Sequence, residues 1–210
     1  MKLYQSSGSP SSRRVRIFLA EKGIELDLVP VDLGAKEQFT AAYQAINPRS
    51  VVPTLVLDDG SSIAEVPAIL RYLEDTHPPL PLHGSSAKGK ALVTMWERRA
   101  ELEGFASVME AVRNASPGLK GRAIAGPHDY EQIPALVDRS RQRISNFYVD
   151  LNHRLTEVPF VGGQHFSVAD ITAVVTVDFA TKAGKQPIPE ELTALRRWYD
   201  GVAARPSFNA

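Results

Sequence analysis

The sequence predicts a small α/β domain of order β-α-β-α-β-β-α followed by an all-helical domain. Three observations carry that prediction. Through residue 76, short β-type runs alternate with helical patterns, whereas from residue 87 onward apolar residues recur only at three- and four-residue spacing. The runs "VVPTLVL" (51–57) and "SSIA" (61–64) flank "DDG", a strong hairpin signal. Between the two regimes lies "HPPLPLHGSS" (77–86), a proline-rich linker that cannot continue the preceding helix. The expected division is therefore a domain over 1–76, a linker over 77–86 and a second domain over 87–210.

"KLYQ" (2–5) reads as the first strand. "SSRRVRIFLAEKG" (11–23) reads as a helix with Val15, Ile17, Phe18 and Leu19 inward and Gly23 as its C-terminal stop. "ELDLVPV" (25–31) alternates apolar and polar residues, as a half-buried strand should. "KEQFTAAYQAI" (36–46) suits one helix ending before the turn "NPRS". Pro53 falls inside an otherwise good strand, which indicates an edge position or a cis bond holding a loop beside a site. "EVPAILRYLEDT" (65–76) sets Ile69, Leu70 and Leu73 at helical spacing.

In the second region, Leu102, Phe105, Met109 and Val112 repeat along a helix from Ala87 to about Asn114. Ile133, Leu136, Ile144, Phe147, Leu151 and Leu155 do the same between Tyr130 and Leu155, and shorter helices fit 168–182 and 189–203. "FSVAD" (166–170) is an N-capping box with a structural role, in which Ser167 and Asp170 each satisfy the other's backbone N–H.

Composition narrows the function. Lys+Arg and Asp+Glu balance at 24 each, so a nucleic-acid or anionic-membrane partner is disfavoured. There is no cysteine, which excludes disulfides, cysteine zinc sites and any mechanism using the protein's own thiol. "MKLYQSSGSP" has no apolar run of a secretory signal, and "ITAVVTV" (171–177) is far shorter than the roughly 20 residues that span a bilayer. A cytoplasmic protein is expected. The five histidines (77, 83, 128, 153, 165) show no i,i+4 pairing, so no metal is expected. "GSSAKGK" (84–90) resembles a phosphate loop, but Ala91 follows it and no strand precedes it; Ser85 or Ser86 as a helix cap explains it better. No G-x-S-x-G elbow is present.

The stretch "SSGSPSSRRVR" (6–16) sets five serines where the first strand meets the first helix. Backbone N–H groups and the positive end of a helix dipole point toward such a corner, which suits a thiolate or another anion. Simple helix capping by one of the serines explains the same residues. Spacing alone leaves both readings open.

With a proline in the third strand, the element order resembles the thioredoxin-like fold, and "SPSS" (9–12) stands where that fold carries C-P-x-C. The whole chain resembles the cytosolic glutathione S-transferases, on "SPSSRRVRIFLAEKGI" (9–24), "INPRSVVPTLVLDDG" (46–60), "IAEVPAILRYLED" (63–75), "FSVADI" (166–171) and "LRRWYDGVAARPS" (195–207). The resemblance implies glutathione as co-substrate, a small hydrophobic electrophile as partner, and a homodimer. It implies that Ser9 occupies the place of the theta- and zeta-like serine that hydrogen-bonds the thiolate, with Ser11 in reserve. Ser12 then belongs to the helix start, and Ser6 and Ser7 to the loop. By the same resemblance Val52, before Pro53, pairs its backbone with the cysteinyl part of glutathione. Glu65 and Val66 receive the γ-glutamyl end, and Gln38 reaches the glycyl carboxylate.

Two departures stand out. Val66 replaces the usual serine, which predicts weaker glutathione binding. The stretch "ERRAELEGFASVMEAVRNASPGL" (97–119) is similar to an atypical yeast-type subgroup, whose serine and histidine fall at Met109 and Arg113 here. That makes Ser9 the expected thiolate partner. Phe105, Met109, Val112 and Arg113 are the expected lining of the electrophile site, although core packing explains the same pattern. The energetics suffice: lowering a thiol pKa from about 8.5 by two units needs roughly 2.7 kcal/mol. One charge-assisted hydrogen bond supplies about 1.5–3 kcal/mol and a helix N-terminus about 0.3–1. Competing expectations are a glutathione-dependent peroxidase or lyase on the same site, and a non-catalytic glutathione-binding or assembly protein.

Overall fold

The computed structural model describes every residue from Met1 to Ala210. Its sheet holds β1 (Lys2–Gln5), β2 (Asp27–Pro30), β3 (Thr54–Val56) and β4 (Ser62–Ala64) in the order β2-β1-β3-β4. β1 pairs parallel with β2 and antiparallel with β3, which pairs antiparallel with β4. Helix α1 (Pro10–Lys22) joins β1 to β2, and α3 (Val66–Thr76) follows β4. Val15, Ile17, Phe18 and Leu19 of α1 are buried, as are Ile69, Leu70 and Leu73 of α3 and Leu3 and Leu55 of the sheet. Gly23 ends α1 in the left-handed region (φ 64), where a residue without Cβ is unstrained. Lys22 Nζ donates to Glu74 Oε2 at 2.8 Å, an ion pair with almost no exposure that links α1 to α3.

Two expectations for this domain are corrected. The segment 36–46 is not one helix but a 3₁₀ turn, Glu37–Phe39, followed by the one-turn α2, Ala41–Gln44. Thr40 causes the break: it takes extended backbone (φ −68, ψ 150) and caps α2, its Oγ accepting from the Tyr43 N–H at 3.3 Å. β2 is an edge strand rather than a half-buried one. Leu28 is 42% exposed there, and Pro30 sits where an edge tolerates a missing donor.

The second region is helical throughout: α4 (Ala87–Arg99), a π-helical segment Ala100–Phe105, α5 (Ala106–Ala115), α6 (Ala135–Glu157), α7 (Val168–Lys182) and α8 (Thr193–Ala203). α7 is buried nearly all round, from Val168 through Val177, and makes the centre of this region. Residues 1–80, 125–129 and 209–210 form one compact unit, and 81–124 with 130–208 form the other. No helix is long and apolar enough to cross a membrane.

The π-helical segment explains a second pair of differences. A π turn holds one more residue than an α turn, and each residue advances a helix face by about 100°. Leu102, expected inward, is therefore 50% exposed, and Val108 and Ala111 rather than Met109 and Val112 are the fully buried pair beyond it. Ile133 is 54% exposed because it precedes α6, which starts at Ala135. Gly104, in the π segment, is needed for close approach: a Cβ there would stand 2.7 Å from Cε1 of the buried Phe147 ring. Gly104→Ala is expected to lower stability by about 1–3 kcal/mol, read as a shift in the urea midpoint with unchanged m-value.

Candidate active site

Register places the candidate residues at one end of the sheet. Tyr4 pairs with Thr54, Thr54 with Ala64, and Gln5 with Pro30. The turn after β1 carrying Ser9, the turn before β3 carrying Val52 and Pro53, the residues after β4 (Glu65, Val66) and the connection after β2 carrying Gln38 all leave the sheet at that same end. Their spacing in sequence is wide, so only the topology groups them.

Ser9 is the N-cap of α1, with Pro10 in the first turn, where a missing N–H costs nothing. It is 8% exposed, and its Oγ accepts from the Ser12 N–H at 3.2 Å. A serine hydroxyl offers two lone pairs and one donor proton. The cap occupies a lone pair and leaves the O–H free to donate, so capping and anion binding are compatible in one residue. The Ser9 N–H donates to the Ser6 carbonyl at 3.1 Å, and Ser12 Oγ accepts from the Ser6 N–H at 3.3 Å. Ser12 is thus fully buried and braces the loop from below, a role beyond marking the helix start. Ser11 is half-buried and its side chain makes no hydrogen bond. No acidic residue lies in the first turn of α1, so nothing there offsets the helix dipole.

The Val52–Pro53 peptide is cis. Just before it, the Val51 carbonyl accepts from Tyr43 Oη at 2.6 Å and Asn47 Nδ2 at 3.0 Å, and Asn47 Nδ2 also donates to Thr54 Oγ1 at 2.9 Å. Burial pushes the Tyr43 hydroxyl pKa up, against hydrogen bonds from Thr54 and Asn47 that lower it. This Tyr43–Asn47–Thr54 brace fixes the loop, and sequence reasoning missed it; "NP" before "VVP" was the available signal. The backbone groups of Val52 itself are paired with nothing in the protein, which leaves them available to a ligand.

Glu65 is exposed and holds φ 68, ψ 122, a region that non-glycine residues enter at a cost of order 1–3 kcal/mol and that clusters at functional sites. As N-cap of α3 it gives no side-chain cap, and Pro67 contributes no N–H. Val66 turns its side chain into the core at 6% exposure and keeps its backbone N–H at the helix start, where no intrahelical acceptor exists. Gln38 is half-buried in the 3₁₀ turn, and its Oε1 is buried without a partner.

The second-unit candidates are placed differently from one another. Phe105 is buried, its ring centroid 6.1 Å from that of Phe179. Met109, Val112 and Arg113 are half-buried on α5. Arg113 Nη2 donates to the Arg122 carbonyl at 2.6 Å and so ties α5 to the following loop; burial, then the Arg122 charge, lowers its pKa. Gln132 Nε2 donates to the carbonyls of Arg113 and Ser116 at 2.7 Å each, completing that tie. At the phosphate-loop look-alike, Ser86 caps α4, accepting from the Gly89 N–H at 3.0 Å.

A β-α-β-α-β-β-α domain with a cis proline opening its third strand, followed by a helical region, defines a thioredoxin-like domain joined to an α-helical one. Residues 3–81 match the family model for the glutathione S-transferase N-terminal domain, and residues 134–201 match that for the C-terminal domain. A solved glutathione S-transferase domain-containing protein from Marinobacter aquaeolei VT8 is 38% identical, with TM-score 0.91 and 99% of each chain covered. Glutathione S-transferase 2 of Saccharomyces cerevisiae is 35% identical over 210 residues, 99% of this chain and 87% of that protein. The disulfide-bond oxidoreductase YfcG of Escherichia coli is 25% identical over 206 residues, 95% of this chain and 88% of that protein. The chain belongs to the glutathione S-transferase family.

Proposed function

We propose that this protein binds glutathione at the sheet end described above and conjugates it, through its thiolate, to small hydrophobic electrophiles. The observation that carries the reading is Ser9, whose capping bond to Ser12 leaves the hydroxyl proton free at a helix N-terminus. In this reading Ser9 donates to the glutathione thiolate and is not itself modified, and Ser11 is the reserve donor. The thiolate forms a carbon–sulfur bond as the leaving group departs with its electron pair; with 1-chloro-2,4-dinitrobenzene that group is chloride, and the thiol proton goes to solvent. Val52 supplies paired backbone bonds to the cysteinyl unit beside Pro53, Glu65 and the Val66 N–H hold the γ-glutamyl end, and Gln38 meets the glycyl carboxylate. Phe105, Met109, Val112 and Arg113 belong to the electrophile side.

Residues 1–76 are assigned to glutathione, 77–86 to the linker and 87–210 to the electrophile, in a cytoplasmic homodimer. Because the chain has no cysteine, any thiol–disulfide chemistry of the kind named for the Escherichia coli relative would run on glutathione sulfur alone here. Calorimetry with glutathione and conjugation of 1-chloro-2,4-dinitrobenzene test the reading. Binding with conjugation supports it, and turnover of cumene hydroperoxide in place of conjugation selects the peroxidase. Absence of binding at millimolar glutathione makes the protein a non-catalytic member of the family.

A further inference from the structure

We propose that Arg16 is a positioning residue for Ser9, which rests on the reading of Ser9 given above. Arg16 lies two helical turns beyond Ser9 on the same face of α1, and helical side chains lean toward the N-terminus. Its guanidinium therefore runs back to the loop that delivers Ser9. Nη1 donates to Gln5 Oε1 at 2.7 Å and to the Ser6 carbonyl at 3.3 Å, and Nη2 to the Ser7 carbonyl at 3.4 Å. The Ser6 carbonyl also accepts the Ser9 N–H, so one oxygen joins the clamp to the backbone of the capping serine.

Little else holds this loop. Beside Gly8 the space is open, and a Cβ there would meet nothing within 4 Å. The loop's other tethers are the Ser6 N–H on Ser12 Oγ, the Ser9 N–H on the Ser6 carbonyl and the Ser12 N–H on Ser9 Oγ. All three oxygens on Arg16 are neutral, and no carboxylate pairs with it, so its charge stays uncompensated at the positive end of α1. Burial, then the Arg13 charge, lowers its pKa from a high starting value. A planar guanidinium reaches three acceptors on consecutive residues at once, whereas a lysine ammonium offers the same charge at a single point.

The test compares wild type, Arg16→Lys and Arg16→Gln by titrating the thiolate absorbance of bound glutathione and by hydrogen exchange over residues 5–12. Positioning predicts that both variants hold about tenfold less thiolate than wild type at a pH where wild type is half-ionised, with faster exchange at Ser9 and Ser12. Gln5→Met, which removes only the shortest contact, is expected to fall between wild type and Arg16→Gln in both measurements. An Arg16→Lys protein that titrates as wild type overturns the proposal, because charge alone would then suffice. If wild type itself binds no glutathione, the reading of the site fails separately. Exchange still decides the positioning claim in that case: wild-type exchange at Ser9 and Ser12 in Arg16→Gln overturns it, and faster exchange upholds it.

Discussion

Ser9→Gly is expected to conjugate 1-chloro-2,4-dinitrobenzene about 10–100-fold more slowly than wild type at pH 6.5 while melting at nearly the same temperature. The two consequences separate because Ser9 holds two bonds of different kinds. Its lone pair caps the Ser12 N–H, and glycine at an N-cap costs only about a few tenths of a kcal/mol. Its proton is the proposed donor to the thiolate, and one charge-assisted hydrogen bond is worth about 1.5–3 kcal/mol, or roughly one to two pKa units of the thiol. Ser9→Ala loses the same donor and, in addition, about 1 kcal/mol of cap, so its Tm falls by about 2–4 °C with no further loss of rate. Losing an anion-stabilising donor raises the thiol pKa, so the deficit is full in acid and closes once pH exceeds the raised value. Ser11→Ala is expected to match wild type throughout. Equal pH–rate profiles for Ser9→Gly and wild type would remove Ser9 from the chemistry, and a deficit in Ser11→Ala instead would move the role there.

Local signals in the sequence carried much of this fold. Gly23 stops α1, and the helix over 168–182 has the expected bounds, because a cap and a stop act within one turn. The serine corner was legible for the same reason: strand, proline and helix start are neighbours in sequence. The segment 36–46 misled because Thr40 suits both a helix surface and a cap, and only the extended backbone decides between them. Leu102 misled because a π turn shifts the face of a helix without any change in residue type. The grouping of Ser9, Val52, Glu65 and Gln38 depends on strand register, which joins positions far apart in the chain. Arg16 is one of three arginines in "RRVR", and only the fold shows that its guanidinium reaches back to the loop. Arg113 likewise reads as a free charge in sequence, while its acceptor, the Arg122 carbonyl, carries no side-chain signature at all.

Asp170→Ala is expected to lower stability by about 3 kcal/mol at pH 7 and by more at pH 4.5, the reverse of an ordinary salt-bridged carboxylate. The sequence shows Asp170 as half of a capping box, and that box is present. The fold adds two partners from elsewhere: Oδ1 accepts the Val161 N–H at 2.8 Å and Trp198 Nε1 at 2.9 Å, while Oδ2 accepts the Ser167 N–H at 3.0 Å. Alanine leaves three buried N–H donors unmet, and with them the Ser167 hydroxyl that donates to Oδ2 at 2.9 Å, at about 1–3 kcal/mol each. Against this, complete burial raises the Asp170 pKa to about 6 despite those hydrogen bonds, so the ionised form carries a desolvation cost at pH 7 that alanine relieves. The unfolded value is about 3.9, so between the two values the folded state binds the proton more tightly. The wild-type contribution from this group is therefore fully present below about pH 4 and declines by roughly 3 kcal/mol as pH rises through about 6. Alanine has no such slope. The Tm gap between wild type and Asp170→Ala should be roughly 6–12 °C at pH 7 for a chain of this size and wider at pH 4.5. A gap that narrows on acidification would mean that the carboxylate is held ionised in the fold and that the hydrogen bonds outweigh its burial.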